Sequence, residues 1–368
     1  MSGLFLKKLY LKDYRNYKLA EFEFHKKIIF IIGNNAIGKS NLLEAIQTLS
    51  FGTSHRAETE RFKINFSEDF FSLKADYEID SKAFQYEYTS GGESTRRRIK
   101  LNNITYSSFR EIKDYILKSI SFKAKESLEI VRDSPSNRRD WLDLNLCLLD
   151  KYYSENLQKY QKCLEHRNRL LKNLAEGFRN REACLEELSV WDSNISKYGF
   201  EIIKARKDFF SEIISPYKEA YFNISASKDE IPDLNYQSSI INNQTNESYL
   251  EFLESKRSED MRRVMSCFGP HRDDFLFLLN NKEVRHYGSQ GQQRSSSLAL
   301  HIAQINLWKK ILNHDPILLL DDVCAELDLS RQESLFANLP VNSQIFITTT
   351  HLVNLPRLEN QDYQIISL

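Results

Sequence analysis

Apolar and polar residues change their period along the chain, and each change predicts a different element. Near the start, Phe5, Leu9 and Leu11 stand among charged residues at strand-like spacing, and Lys27-Ile28-Ile29-Phe30-Ile31-Ile32 is apolar enough for a buried strand. That run passes through Gly33-Asn34-Asn35-Ala36-Ile37-Gly38-Lys39-Ser40 into Asn41-Leu42-Leu43-Glu44-Ala45-Ile46, which has helical spacing. The order there is strand, glycine loop, helix. From about Phe70 to Tyr106 the pattern shortens to β segments with turn signals at Gly91-Gly92 and Asn102-Asn103, and predicts an antiparallel flap.

Residues 150–214 have a different character. Leu157, Tyr160, Leu164, Leu171 and Leu174 occupy a and d positions of a heptad register with Arg167 as the one polar intruder, and Leu188, Trp191, Ile195, Tyr198, Ile202, Ala205 and Phe209 form a second set. Residues 177–180 supply a turn between the sets and Pro216 follows the second. Two amphipathic helices of roughly 25 to 35 residues, roughly 40 to 50 Å each, are predicted to fold into an antiparallel hairpin. The polar stretch 237–246 predicts a flexible connection, residues 295–307 a helix, and residues 316–322 and 344–349 buried strands. Nothing repeats at a solenoid period.

Composition narrows the class. At 368 residues the chain is long enough for two or three domains, and 41% hydrophobic with 28% charged residues is globular composition. No apolar run approaches the ~18 residues of a membrane span, and Leu alternates with Lys at the N-terminus where a secretion signal would be apolar, which predicts a cytoplasmic protein without a membrane partner. The five cysteines, Cys147, Cys163, Cys184, Cys267 and Cys324, form no CxxC pair and read as reduced and structural. With 51 Lys plus Arg against 51 Asp plus Glu the net charge is zero, which removes the simplest argument for a nucleic-acid partner. The zero hides a polarity, however. Residues 1–30 carry seven basic and three acidic side chains, residues 94–118 seven and two, and residues 315–368 two and eight. Such runs read first as solvated faces, and only motifs can assign them a task.

The loop Gly33 to Ser40 fits G-x-x-x-x-G-K-[ST] without departure. Its glycines let backbone N–H groups curl around a polyphosphate; Lys39 would reach the outer phosphates and Ser40 would ligate Mg²⁺, which predicts ATP and Mg²⁺ as cofactors. Far downstream, Pro316-Ile317-Leu318-Leu319-Leu320-Asp321-Asp322 is a strand ending in two carboxylates. Asp321 is the candidate metal residue, acting through water, and Asp322 the candidate holder of the attacking water. The distance in sequence from Lys39 to Asp321 exceeds what one nucleotide fold needs, so the helical arm is an insertion. The expected division is residues 1–120 and 261–368 as two parts of the ATPase head, with 121–260 as helical lobe and arm.

Between these motifs, Tyr287-Gly288-Ser289-Gln290-Gly291-Gln292-Gln293-Arg294 resembles the LSGGQ signature of ATP-binding-cassette ATPases at Ser289, Gly291 and Gln292, and departs from it at Gly288 and Gln290. The resemblance implies an ATP-dependent dimer, because the signature of one copy completes the phosphate site of the other. It also makes Ala325-Glu326-Leu327-Asp328 the D-loop and His351 the switch histidine, with Asp322 in place of the usual catalytic Glu, which implies slow hydrolysis. Catalytic roles therefore fall on Asp322, Lys39 and His351. No Q-loop glutamine is recognisable.

Six further strings in order narrow the resemblance: Arg15-Asn16-Tyr17, Asn41-Leu42-Leu43-Glu44-Ala45, Ser134-Pro135-Ser136-Asn137-Arg138-Arg139, Gly269-Pro270-His271-Arg272-Asp273-Asp274, Ser289-Gln290-Gly291-Gln292-Gln293-Arg294 and Leu319-Leu320-Asp321-Asp322-Val323. Together they resemble the RecF family of bacterial recombinational repair proteins, short-armed relatives of the SMC proteins, over nearly the whole chain. The resemblance implies an α/β ABC-type P-loop head, with a mixed sheet, an antiparallel β flap and an inserted coiled-coil arm. It further implies a dimer that clamps gapped or junction-bearing DNA and helps RecO and RecR to load RecA. Arg96, Arg97, Arg98, Lys100, Arg110 and Lys113 are the candidate phosphate contacts; the competing reading is a solvated basic β edge. Arg138 and Arg139 either act in function or pair with Asp140 or Asp143. His271, Arg272 and Asp273 are either functional or a structural turn, and Arg15 and Tyr17 are candidates for contact with base or ribose. Rival classes are the ATPase subunit of a transporter, which would lack the arm, and a short SMC-like tether.

Overall fold

The computed structural model describes residues 3–51, 61–66, 68–91, 97–177, 180–225, 227, 229–240, 245–323, 327–351 and 362–368. They group into two compact units, one of Met1–Leu128, Ala220–Ala226 and Ser297–Leu368, the other of Glu129–Glu219 and Ser227–Ser296. The expected boundary at residue 260 differs from this grouping. Residues 261–296 join the second unit because β10 (Asp274–Leu279) pairs with β9 (Pro232–Gln237) and with β11 (Lys282–Glu283).

The first unit holds two sheets. A parallel sheet runs in the order β14 (Tyr363–Ser367), β3 (Ile28–Ile32), β13 (Ile345–Thr349), β12 (Ile317–Asp321), β8 (Ser119–Lys123). Its inner strands are near-continuous Ile, Leu and Phe, as strands covered on both faces require. The second sheet is antiparallel, in the order β2 (Tyr17–Glu23), β1 (Leu4–Tyr14), β4 (Phe70–Ile79), β5 (Lys82–Gly91), β6 (Arg98–Leu101), β7 (Ile104–Tyr106). Here burial alternates: Phe71, Leu73, Ala75 and Tyr77 point inward, with polar residues between them facing out. α1 (Lys39–Phe51) touches strands of both sheets and buries Leu42, Leu43, Ala45, Ile46 and Leu49 in their common core.

Two local readings change. Phe5 is only half-buried, and Leu4, Leu6, Leu9 and Leu11 form the inner face of β1. A bulge between Leu6 and Lys8 inserts one residue, so the inward period skips from 6 to 9. The basic strand β6 is no edge, because Asn102 and Asn103, both at positive φ, turn the chain back so that β7 covers it.

α2 (Ala124–Arg132) runs from the first unit into the second, where α3 (Pro135–Leu149), α4 (Lys151–Ala175) and the 45-residue α5 (Arg181–Ser225) follow, the last residues of α5 being grouped with the first unit. The helical hairpin forms as expected, but α5 is longer, about 67 Å at 1.5 Å per residue. Pro216 lies inside it and does not end it. Buried Ile213, Tyr217, Ala220 and Tyr221 keep one face of that stretch packed, which outweighs the lost N–H. α6 (Asn246–Arg263) opens with a capping box between Thr245 and Ser248 at the end of the expected flexible connection, of which residues 241–244 lie outside the described residues. α7 (Val284–Tyr287), α8 (Gln290–Leu312) and α9 (Leu329–Asn338) complete the helices used below.

Candidate functional site

The glycine loop lies between β3 and α1, as its sequence context predicts. Asn34, Asn35, Ala36 and Ile37 are exposed at its crest, Gly33 is half-buried, and Gly38 and Lys39 are buried at the helix entrance. Gly38 has φ +121°, and a Cβ there would stand 2.5 Å from Asn16 Nδ2, so neither the backbone angle nor the space admits a side chain. That crowding comes from a clamp the sequence did not reveal. Asn16 Nδ2 donates to the Ile37 carbonyl at 2.9 Å, Tyr17 donates its hydroxyl to the Gly38 carbonyl at 3.2 Å, and Asn41 Nδ2 donates to Asn16 Oδ1 at 2.8 Å. Arg15, expected near a base or ribose, is instead forked onto Glu44 of α1 at 2.8 and 2.7 Å.

Lys39 Nζ donates to the carbonyls of Gly33 at 2.8 Å and Asn34 at 3.0 Å, curled over the loop where an outer phosphate would compete for it. Ser40 donates its hydroxyl to Asp321 Oδ1 at 2.9 Å, although the two residues lie on β12 and the P-loop helix, far apart in sequence. Thr348, on the intervening strand β13, donates to the same oxygen at 2.7 Å and accepts from the Asp322 amide at 2.9 Å. Asp322 takes φ 48°, in the left-handed region. Burial raises its pKa, the Asp321 charge adds to the rise, and Lys39 opposes both. Ser40 and Asp321 thus present hard oxygen donors beside a buried ammonium, the donor chemistry that fits Mg²⁺ bound to a polyphosphate. Lys39, Ser40, Asp321 and Asp322 are brought together. His351 stands exposed beyond β13, its Nδ1 3.0 Å from the Thr350 hydroxyl.

Ala325 and Glu326 of the expected D-loop lie outside the described residues. Asp328 caps α9: burial alone would raise its carboxyl, but hydrogen bonds from Ser330 and the Arg331 amide, with the Arg331 charge, hold it down at about 2. The signature residues belong to the second unit. Ser289 is exposed and exchanges hydrogen bonds with Gln292, whose Oε1 accepts from the Ser289 amide at 2.8 Å and whose amide donates to Ser289 Oγ at 3.2 Å. Gly291 lies in the first turn of α8, so the motif stands at a helix N-terminus.

The arginine and histidine strings of the second unit are tied into internal hydrogen bonds. Arg138 forks onto Asp274 at 2.6 and 2.9 Å, in place of Asp140 or Asp143, and Arg139 donates to the Asp273 carbonyl at 2.9 Å. Asp143 accepts from Arg206 at 2.7 Å. His271 Nε2 donates to the Ser266 carbonyl at 3.0 Å, leaving Nδ1 to accept from the Tyr160 hydroxyl at 2.7 Å. Gly269 beside it has φ +133°, and Tyr160 leaves no space for a Cβ. His271 and Asp273 are thus built into a turn, and Arg272 alone of the three is exposed.

Of the basic flap residues, Arg96 and the side chain of Arg110 lie outside the described residues. Arg97 and Arg98 are exposed, Lys100 is half-buried beside Glu87 Oε2 at 3.4 Å, and Lys113 is half-buried. Lys118, counted in the same basic run, is buried, and desolvation together with the Lys113 charge pulls it down to about 7. The strand register adds what the sequence could not. Lys12 lies opposite Ser72, Ser72 opposite Thr89 and Thr89 opposite Arg98, so two cations and two hydroxyls share one row across four strands.

Among the described residues no helix is long and apolar enough to cross a membrane. A family model for the RecF/RecN/SMC N terminal domain matches residues 5–364. The chain is similar to the DNA replication and repair protein RecF of Agathobacter rectalis, 35% identical over 95% of this chain and 93% of that protein. It is similar in structure to the recombination mediator protein RecF-ATPrS of the RecFOR pathway, 30% identical with TM-score 0.87, covering 99% of this chain and 96% of the other. The Smc head domain of Pyrococcus furiosus, solved with an extended coiled coil bound to the C-terminal domain of ScpA, is 17% identical with TM-score 0.52 over 99% of this chain and 93% of the other, a likeness of fold alone. The expected fold, an α/β P-loop ATPase head with an antiparallel sheet and an inserted helical arm, is borne out.

Proposed function

Since the chain belongs to the RecF family of DNA replication and repair proteins, we propose that it is an ATP-switched DNA-binding protein of recombinational repair. Lys39 and the loop amides hold the phosphates, Ser40 and Asp321 hold Mg²⁺, and Asp322 orients the attacking water. Mg²⁺ supplies charge neutralisation at the outer phosphates when bound. The observation that carries this reading is the meeting of Ser40 with Asp321 at 2.9 Å beside the buried Lys39.

Two copies close around ATP in a homodimer, the Ser289, Gly291 and Gln292 region of one completing the phosphate site of the other. The exposed position of Ser289 at the start of α8 supports this arrangement, since an anion held by another chain can approach a helix N-terminus there. Asp322 carries one methylene less than a glutamate and sits on a left-handed turn, which supports slow hydrolysis, a switch more than a motor. DNA meets the exposed Arg97 and Arg98, Lys100 and Lys113, with Arg96 and Arg110 carried over from the sequence. RecR and RecO act with the dimer to load RecA at gapped or junction-bearing duplex in the cytoplasm.

The test is binding of gapped duplex with and without ATP, alongside light scattering for dimerisation. Wild-type protein should dimerise and bind only with ATP, and Lys39→Met should do neither. An ATP-dependent dimer that persists in Lys39→Met would sink the nucleotide-site assignment; strong DNA binding without nucleotide would sink the switch.

A further inference from the structure

Three threonines in succession, Thr348, Thr349 and Thr350, look interchangeable in sequence, yet each has a different partner. Thr349 donates to the His351 carbonyl at 2.8 Å and Thr350 lies 3.0 Å from the His351 ring, while Thr348 alone faces the carboxylates. Strand alternation sets this division, because successive side chains of β13 leave on opposite faces. β13 lies between β3, which feeds the phosphate loop, and β12, which ends in Asp321.

We propose that Thr348 is a positioning residue for nucleotide hydrolysis, one hydroxyl that sets both Asp321 and Asp322; this rests on the ATP-site reading above. Its side chain is fully buried. A hydroxyl has one proton to give and two lone pairs, and here both capacities are used. The proton goes to Asp321 Oδ1 at 2.7 Å, an oxygen that Ser40 also grips, so the carboxylate is held from two sides. A lone pair takes the Asp322 amide at 2.9 Å and holds residue 322 at φ 48°, a conformation a side-chain-bearing residue avoids without support. The direction in which the Asp322 carboxylate leaves the strand is therefore fixed by Thr348. The β-branched side chain stiffens this bridge, since few χ1 wells are open to it.

The experiment compares Thr348→Val, Thr348→Ala and Thr348→Ser with Thr349→Val as control, all in the full chain and checked for folding by thermal melting. In nucleotide-free protein, hydrogen exchange at the Asp322 amide should accelerate in the valine and alanine variants and stay slow in the serine variant and the control. With a fluorescent ATP analogue, the Mg²⁺ concentration for half-saturation should rise, and kcat should fall by roughly 10- to 100-fold with KM little changed, the usual cost of losing a group that orients a metal ligand. Serine should restore most of both. Wild-type exchange and kcat in the valine and alanine variants overturn the proposal, as does a serine variant impaired as far as valine. Failure of wild-type protein to bind the analogue overturns the nucleotide reading and the hydrolytic role with it. The exchange measurement needs no nucleotide and tells the two failures apart.

Discussion

Arg167 on α4 donates to Asp192 on α5 across 2.6 Å, with both side chains almost wholly buried. The same guanidinium donates to Asp260 at 2.7 Å and to Ser266 Oγ at 2.8 Å, while Arg257 grips the other oxygen of Asp192 at 2.7 Å. What the heptad pattern marks as one polar intruder is the centre of an ion network joining α4, α5 and α6.

Arg167→Met should lower the free energy of unfolding by about 3–5 kcal/mol, because it takes the cation from Asp260, leaving that buried carboxylate the Cys267 amide at 2.9 Å, and leaves Asp192 to Arg257. Adding Asp260→Leu should recover part of the loss, since a buried carboxylate without its counter-charge is what costs. Denaturant unfolding of both variants checks this, and additive losses would contradict a shared network.

Asn16→Ala should weaken nucleotide binding by a few-fold with little effect on melting. It removes the bond to the Ile37 carbonyl and the acceptor for Asn41, loosening a loop crest that is otherwise exposed. Loss of one such bond is worth about 1 kcal/mol. Titration with a fluorescent ATP analogue reads the change, and unaltered affinity would separate the clamp from the site.

His271 and His301 should make the protein acid-sensitive. Burial drives each imidazole down to about 4, and the charges of Arg272, Arg139 and Arg167 push His271 further in that direction. Both are neutral in the fold at pH 7, whereas in the unfolded chain each protonates near 6.5. Their contribution is complete above about pH 6.5 and is lost as pH falls towards 4, because only the unfolded chain takes up the protons. Over about 2.5 pH units each is worth up to about 3 kcal/mol. His271→Gln and His301→Gln should each reduce the slope of unfolding free energy against pH in this window by up to about one proton.

The head was legible where a local rule acts alone. β3, the glycine loop and α1 follow from an apolar run, a glycine at positive φ and a helical period within about 25 residues of sequence. Misreadings arose where tertiary structure overrides a local signal: the bulge that turns Phe5 aside, and the packed face that carries α5 through Pro216. Partnerships across long stretches were legible only where a motif marks both ends, as for Ser40 and Asp321. Arg167 stands 93 residues from Asp260, and nothing in either neighbourhood names the other. The roles of Thr348 and Asn16 likewise come from sheet order and loop closure, not from residue type.

The row of Lys12, Ser72, Thr89 and Arg98 separates the flap residues that the sequence treats alike. Strands lie about 4.8 Å apart, so Lys12 and Arg98 are about 14 Å apart across β1, β4, β5 and β6. Thr89 donates its hydroxyl to Ser72 Oγ at 3.2 Å, so that Ser72 can donate onward to a phosphate oxygen without adding charge. Lys100, one row away, already faces Glu87 at 3.4 Å and must give up part of that pair to meet a phosphate. Lys74 in that row sits 5.1 Å from the Tyr10 ring centroid and Lys12 sits 5.7 Å from that of Phe70, so ring contacts do not separate the two rows and the Glu87 pair does. Arg98→Ala and Lys12→Ala should therefore each reduce the slope of log affinity against log salt by about 1, whereas Lys100→Ala should change it less. Measured on gapped duplex in the presence of ATP, equal slopes for all three variants would return this face to a solvated surface.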